Sequence, residues 1–217
     1  MNNNVLDSIF EYKIIAIIRG IGHDRIFDTV GALLKGGIKL IEVTFDNSNL
    51  ESSKDTIKSI DLIKREYGNL VCLGAGTVMT VDQVDRAVEA GAEYIISPNM
   101  DMKIIKKTKE LGKISIPGVL TPSEMVAAYE AGADIVKLFP ASTLGEEYLK
   151  AMLAPLSHIP IIAVGGVNIE NFQQFLNAGA KGVGIGGGLV DTKAIYSGDY
   201  NKIVKAAKLL NKKLLEL

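Results

Sequence analysis

Four short stretches of this chain repeat one pattern. Lys35-Gly36-Gly37-Ile38, Glu89-Ala90-Gly91-Ala92, Glu130-Ala131-Gly132-Ala133 and Asn177-Ala178-Gly179-Ala180 each close a segment with helical spacing and open an apolar run. Glycine past the last turn of a helix takes the left-handed backbone that ends it. The same joint used again and again marks one supersecondary unit repeated along the chain, which admits few folds.

Read between these joints, strand and helix alternate. Short β-branched runs at 14–18, 40–44, 70–73, 94–97, 115–117, 135–140, 161–164 and 182–185 read as strands. Each is followed by a stretch with helical apolar spacing. Thr80 with Gln83, and Thr121-Pro122 with Glu124, are helix starts of the capping-box type. A short helix over 5–10 precedes the first strand, and a basic amphipathic helix over 202–215 ends the chain. Eight units with near-continuous apolar strands predict a parallel (β/α)8 barrel with a short N-terminal helix; a doubly wound sheet is the alternative. The 217 residues, 47% of them hydrophobic, suit one domain spanning 1–217, and no Pro- or Ser-rich linker divides them.

A formal net charge of −1 gives no reason to expect nucleic acid or an acidic membrane as partner. No apolar run reaches transmembrane length. The first residues carry neither the basic nor the apolar region of a signal peptide. A single cysteine, Cys72, excludes an internal disulfide framework and fits a reducing setting, so the cytoplasm is expected. His23 and His158 lack metal-ligand spacing, and no metal or cofactor motif is present.

Chemistry concentrates at the C-terminal ends of the strands, where barrels build their sites. Lys137 sits inside Ile-Val-Lys-Leu-Phe-Pro (135–140), sharing a strand face with Phe139. An amine there must snorkel, pair or shed its proton. Structurally it is a strand-end lysine; chemically it is a nucleophile able to form a Schiff base. On the second strand, Leu40, Glu42 and Thr44 share a face, so Glu42 points inward too. A buried Lys–Glu salt bridge would gain little over apolar packing, which favours a functional reason for both. Arg19 ends the first strand and Thr77 follows the third. Gly165-Gly166 and Gly186-Gly187-Gly188 follow the seventh and eighth. Loops there commonly hold phosphate on backbone N–H groups, although glycines also serve simple tight turns.

With these residues in place, the chain resembles the class I aldolases that cleave 2-keto-3-deoxy-6-phosphogluconate and 4-hydroxy-2-oxoglutarate. The resemblance rests on Ile-Ile-Ala-Ile-Ile-Arg-Gly (14–20), Ile-Glu-Val-Thr-Phe (41–45), Gly-Ala-Gly-Thr-Val (74–78), Ile-Ser-Pro-Asn (96–99), Val-Lys-Leu-Phe-Pro (136–140) and Val-Gly-Gly-Val (164–167), in order across the chain. It implies a metal- and cofactor-free barrel, a homotrimer, acting on a small 2-oxo acid and releasing pyruvate. It makes Lys137 the Schiff-base residue and Glu42 the acid–base carboxylate. Arg19, Thr44, Thr77, Pro98 and Phe139 would bind substrate, and Gly165, Gly166, Gly187 and Gly188 its phosphate. Two positions depart from many members. Asp46 stands where an arginine often reaches the substrate carboxylate, which leaves Arg19 for that role. Gly187 stands where a serine often meets phosphate. The implied reaction is cleavage of the phosphogluconate substrate, with hydroxy-oxoglutarate as a second one. The phosphogalactonate-type aldolases and a phosphate-binding isomerase or epimerase are the alternatives.

Overall fold

The computed structural model describes residues 5–48 and 50–217, without the side chains of 50–52. Helix α1 (Val5–Tyr12) leads into β1 (Ile14–Ile18), α2 (His23–Lys35), β2 (Leu40–Thr44) and α3 (Leu50–Tyr67). Then come β3 (Cys72–Gly76), α4 (Val81–Glu89), β4 (Tyr94–Ile96), α5 (Met102–Glu110), β5 (Ile114–Ile116), β6 (Gly118–Val119) and α6 (Pro122–Glu130). The chain ends with β7 (Val136–Leu138), α7 (Ala141–Leu156), β8 (Ile161–Val164), α8 (Phe172–Asn177), β9 (Gly182–Ile185), α9 (Thr192–Tyr196) and α10 (Tyr200–Leu214).

The strand order is β5-β4-β3-β2-β1-β9-β8-β7-β6, and every pairing is parallel. First and last strands pair, Ile14 against Val183, which joins the two halves of the sheet into one ring. The ring closes at Pro117. The fifth strand, expected to end at 117, instead runs on past this residue: β5 before it pairs with β4, and β6 after it pairs with β7. Proline has no N–H for a ladder, but its carbonyl still accepts from the Lys137 N–H at 2.8 Å. The nine segments are thus the eight strands of a (β/α)8 barrel with one strand bent.

The repeated joints are built alike. Gly37, Gly91, Gly132 and Gly179 have φ of +90°, +111°, +102° and +110°. In each, the next residue's N–H reaches back five positions: Ile38 to Leu33, Ala92 to Ala87, Ala133 to Ala128 and Ala180 to Phe175. That is the Schellman closure, which satisfies a carbonyl the helix end would orphan. Both capping boxes, at Thr80–Gln83 and Thr121–Glu124, are formed.

Apolar side chains divide into an outer layer between sheet and helices and an inner layer within the barrel. The inner layer holds Ile15, Leu40, Tyr94, Ile116, Ile135 and Ile162, and Ile9 of α1 joins it. The N-terminal helix therefore plugs the lower mouth. Among the described residues no helix is long and apolar enough to cross a membrane. A 3-10 turn over Gly68–Leu70 takes the first residue of the strand expected at 70–73, and two further elements went unread in sequence. Five-residue α9 follows the triple glycine, and a first turn from Ala141 precedes the expected helix at 146, broken by Gly145 at φ +80°.

Candidate active site

A cleft of 660 Å³ opens at the C-terminal ends of the strands. Arg19, Glu42, Thr77, Pro98, Lys137, Phe139, Gly165, Gly166, Gly187 and Gly188 all line it. Strand geometry explains how such distant residues meet. Glu42 lies mid-β2 and Lys137 mid-β7, each pointing inward by the period of two. Thr44 lies elsewhere. It lines a neighbouring cavity of 510 Å³ with Asp46 and Asp55, and its hydroxyl donates to the Ile18 carbonyl at 3.3 Å.

The two chemical groups are almost dry: Lys137 is 6% exposed and Glu42 3%. Burial pulls the Lys137 ammonium below the ordinary lysine range; Glu42 pushes it back up and Arg19 lowers it further. Burial raises the Glu42 carboxyl above the usual carboxylate range, against the opposing pull of Lys137 and Arg19. They line one cleft without meeting in a direct ion pair. The ammonium instead lies 4.9 Å from the centroid of the Phe139 ring. This leaves an amine that gives up its proton more readily than an ordinary lysine and a carboxyl that holds its proton more readily than an ordinary one, beside an open cleft.

Glycines on β3 shape this arrangement; the strand expected at 70–73 lies at Cys72–Gly76, which brings Gly74 and Gly76 into it. A Cβ on Gly76 would stand 1.7 Å from Glu42 Oε1, and one on Gly74 would stand 2.0 Å from the Tyr94 ring. Glu42 and Tyr94 thus lie flat on bare backbone. Two glycines at alternate positions in a strand are the signal for such close approach. Tyr94 is fully buried and donates to the Ile41 carbonyl at 2.7 Å.

At the rim, an Arg19 guanidinium N–H donates to Thr77 Oγ1 at 3.1 Å. Thr77 has φ +56°, which is unusual for a β-branched residue. On the opposite wall the amides of Gly165, Gly166, Gly187 and Gly188 donate to no group among the described residues. Gly165 and Gly166 need their freedom: φ is +94° and +73°, and side chains there would strike the Phe139 ring and Ser142 Oγ. Gly187 needs neither, since a Cβ there would meet nothing within 4 Å. The charged lining residues are Arg19, Glu42 and Lys137, so the glycine wall offers an anion only neutral donors. The helix after it adds little field, because Asp191 already caps α9 by accepting from the Ala194 N–H.

Comparison with known proteins agrees with this geometry. The family model "KDPG and KHG aldolase" matches residues 5–206. The 2-dehydro-3-deoxy-6-phosphogalactonate aldolase of Escherichia coli K12 is 38% identical over 81% of this chain and 83% of its own. The 2-dehydro-3-deoxy-phosphogluconate aldolase of Haemophilus influenzae is 30% identical over 92% of this chain and 91% of its own. The crystal structure of a KDPG aldolase from Legionella pneumophila, with pyruvate captured as a covalent carbinolamine, superposes with a TM-score of 0.87. That match is at 25% identity and covers 97% of this chain and 99% of that one. An amine and a carboxyl brought together in a dry barrel mouth thus have a family context: this chain belongs to the KDPG and KHG aldolases.

Proposed function

We propose that Lys137 is the Schiff-base nucleophile of an aldolase cleaving a 2-dehydro-3-deoxy-6-phosphosugar acid to pyruvate and glyceraldehyde 3-phosphate. The observation carrying this is that Lys137 and Glu42 are both desolvated on one cleft yet not tied to each other. The neutral amine adds to the C2 ketone, and Glu42 protonates the departing hydroxyl as the carbinolamine becomes an iminium. The Glu42 carboxylate then takes the C4 hydroxyl proton. The C3–C4 bond breaks, its electron pair moves into the iminium, and the aldehyde leaves behind an enamine. Protonation at C3 and hydrolysis release pyruvate and restore the amine. Arg19 and Thr77 would hold the C1 carboxylate, and the free amides of Gly165, Gly166, Gly187 and Gly188 the phosphate.

Between the two C4 epimers, greater identity to the phosphogalactonate enzyme than to the phosphogluconate enzyme favours the galactonate substrate. Phosphogluconate is the second reading, and hydroxy-oxoglutarate tests the need for phosphate. Borohydride reduction in the presence of pyruvate should add a pyruvate-derived mass to the wild type and none to Lys137→Ala. Absence of the wild-type adduct would leave an isomerase or epimerase instead. Pyruvate release from the three substrates under one assay then ranks them. The buried Cys72 fits a reducing, cytoplasmic setting. Apolar Met79, Val81, Met102 and Leu120 are exposed after neighbouring strands, a surface that suits the homotrimer implied by the family. Light scattering in solution tests that assembly.

A further inference from the structure

Thr77 is strained, and its backbone is held on three sides. The Gly76 carbonyl accepts from the Phe45 N–H at 2.8 Å, and the Val78 N–H donates to the Ile96 carbonyl at 3.2 Å. The third hold is a side chain: Asn47 Nδ2 donates to the Thr77 carbonyl at 3.0 Å. Asn47 is itself held, since its Oδ1 accepts from Gln83 Nε2 at 2.6 Å. Gln83 Oε1 accepts from the Met79 and Thr80 N–H groups at 2.7 and 3.2 Å.

These bonds have one consistent direction. Gln83 commits its oxygen to two backbone N–H groups, so its NH2 must face Asn47. Asn47 must then offer its oxygen to Gln83, and its own NH2 is left for the Thr77 carbonyl. A left-handed Thr77 locked this way presents Oγ1 to Arg19 at the mouth of the cleft.

We infer that Asn47, oriented by Gln83, is a positioning residue for recognition of the substrate carboxylate: it fixes Thr77, and Thr77 fixes the Arg19 fork. The inference rests on the proposed role of Arg19 and adds to it how a flexible, exposed arginine is held in register. It also gives Gln83 a task besides capping α4.

The test uses two ketones. Pyruvate carries the carboxylate; methyl pyruvate keeps the C2 ketone without the charge. Imine formation is followed by borohydride trapping on the full-length protein. Asn47→Ala should raise the pyruvate concentration for half-maximal trapping roughly fivefold to tenfold, the loss of one oriented hydrogen bond. The limiting rate should stay within about twofold, and methyl pyruvate trapping should not change. Gln83→Glu keeps the acceptor that caps α4 but turns a carboxylate toward Asn47 Oδ1. It should therefore weaken pyruvate in the same way without lowering the melting temperature. If either variant affects both ketones equally, or neither, the positioning role is wrong. Arg19→Ala separates the levels. If it leaves pyruvate trapping untouched, the carboxylate reading falls and this inference with it. If it weakens pyruvate while Asn47→Ala does not, only the relay falls.

Discussion

The surroundings of Lys137 disagree about its charge. Burial and Arg19 favour the free amine, while Glu42 favours ammonium. Imine formation should rise with pH as the ammonium loses its proton, with a midpoint below the ordinary lysine range. Neighbour removal should move that midpoint in opposite directions. Glu42→Gln deletes the group that raises the lysine pKa, so the limb should shift to lower pH. Arg19→Ala deletes a group that lowers it, so the limb should shift to higher pH. Trapping rates across a pH series check both signs. Glu42→Gln should also slow turnover by about 10²- to 10⁴-fold, because the amide cannot carry the proton. Lys137 and Glu42 were legible in sequence because a charged residue inside an apolar strand is conspicuous and strand alternation gives its direction. Asn47, and the second role of Gln83 beyond its capping box, were not, because their meaning lies in hydrogen bonds between the loop after β2 and the first turn of α4 that no local pattern encodes. Thr44 shared the inward phase of Glu42, yet at the strand end its hydroxyl meets the Ile18 carbonyl instead of the cleft.

At the level of elements, the strands differ in how much backbone they expose to the site. Strand β3 is bare where Glu42 crosses it. Gly76→Ala would put a methyl group on the carboxylate, and Glu42 would have to swing away. A misplacement of about 1 Å can cost on the order of 10²-fold, so turnover should fall by that order while the lysine still traps pyruvate, more slowly. Equal kinetics in Gly76→Ala would mean the carboxylate has room that the geometry denies it. The loop after β9 behaves oppositely. Gly187→Ser fits without strain and adds a hydroxyl beside the free amides. It should lower the KM of phosphorylated substrates roughly tenfold and leave hydroxy-oxoglutarate unchanged. The helix–strand joints could be read because their glycines serve one repeated closure. The bend at Pro117 could not, since its carbonyl pairs with a strand twenty residues later in the chain.

The whole molecule separates stability from chemistry along the barrel axis. The cleft lined by Lys137 and Glu42 occupies the C-terminal mouth. At the other end α1 closes the barrel: Ile9 is fully buried in the inner layer, and Tyr12 accepts from Lys39 Nζ at 3.3 Å just before β2. A barrel interior left open at that end would expose Ile15, Leu40 and Ile135 to water, so the plug contributes to the fold and not to the reaction. Ile9→Ala removes three buried carbons and leaves a cavity in a packed layer, at a cost of about 2–5 kcal/mol. Denaturant unfolding should show the midpoint falling by that free energy divided by the slope, with the slope itself unchanged. Under conditions where the variant is still folded, its kcat, its KM and its pyruvate adduct should match the wild type. A loss of turnover in fully folded Ile9→Ala would mean that packing at the plug reaches Glu42, through Tyr94 at the centre of the barrel, and that the two ends are not independent.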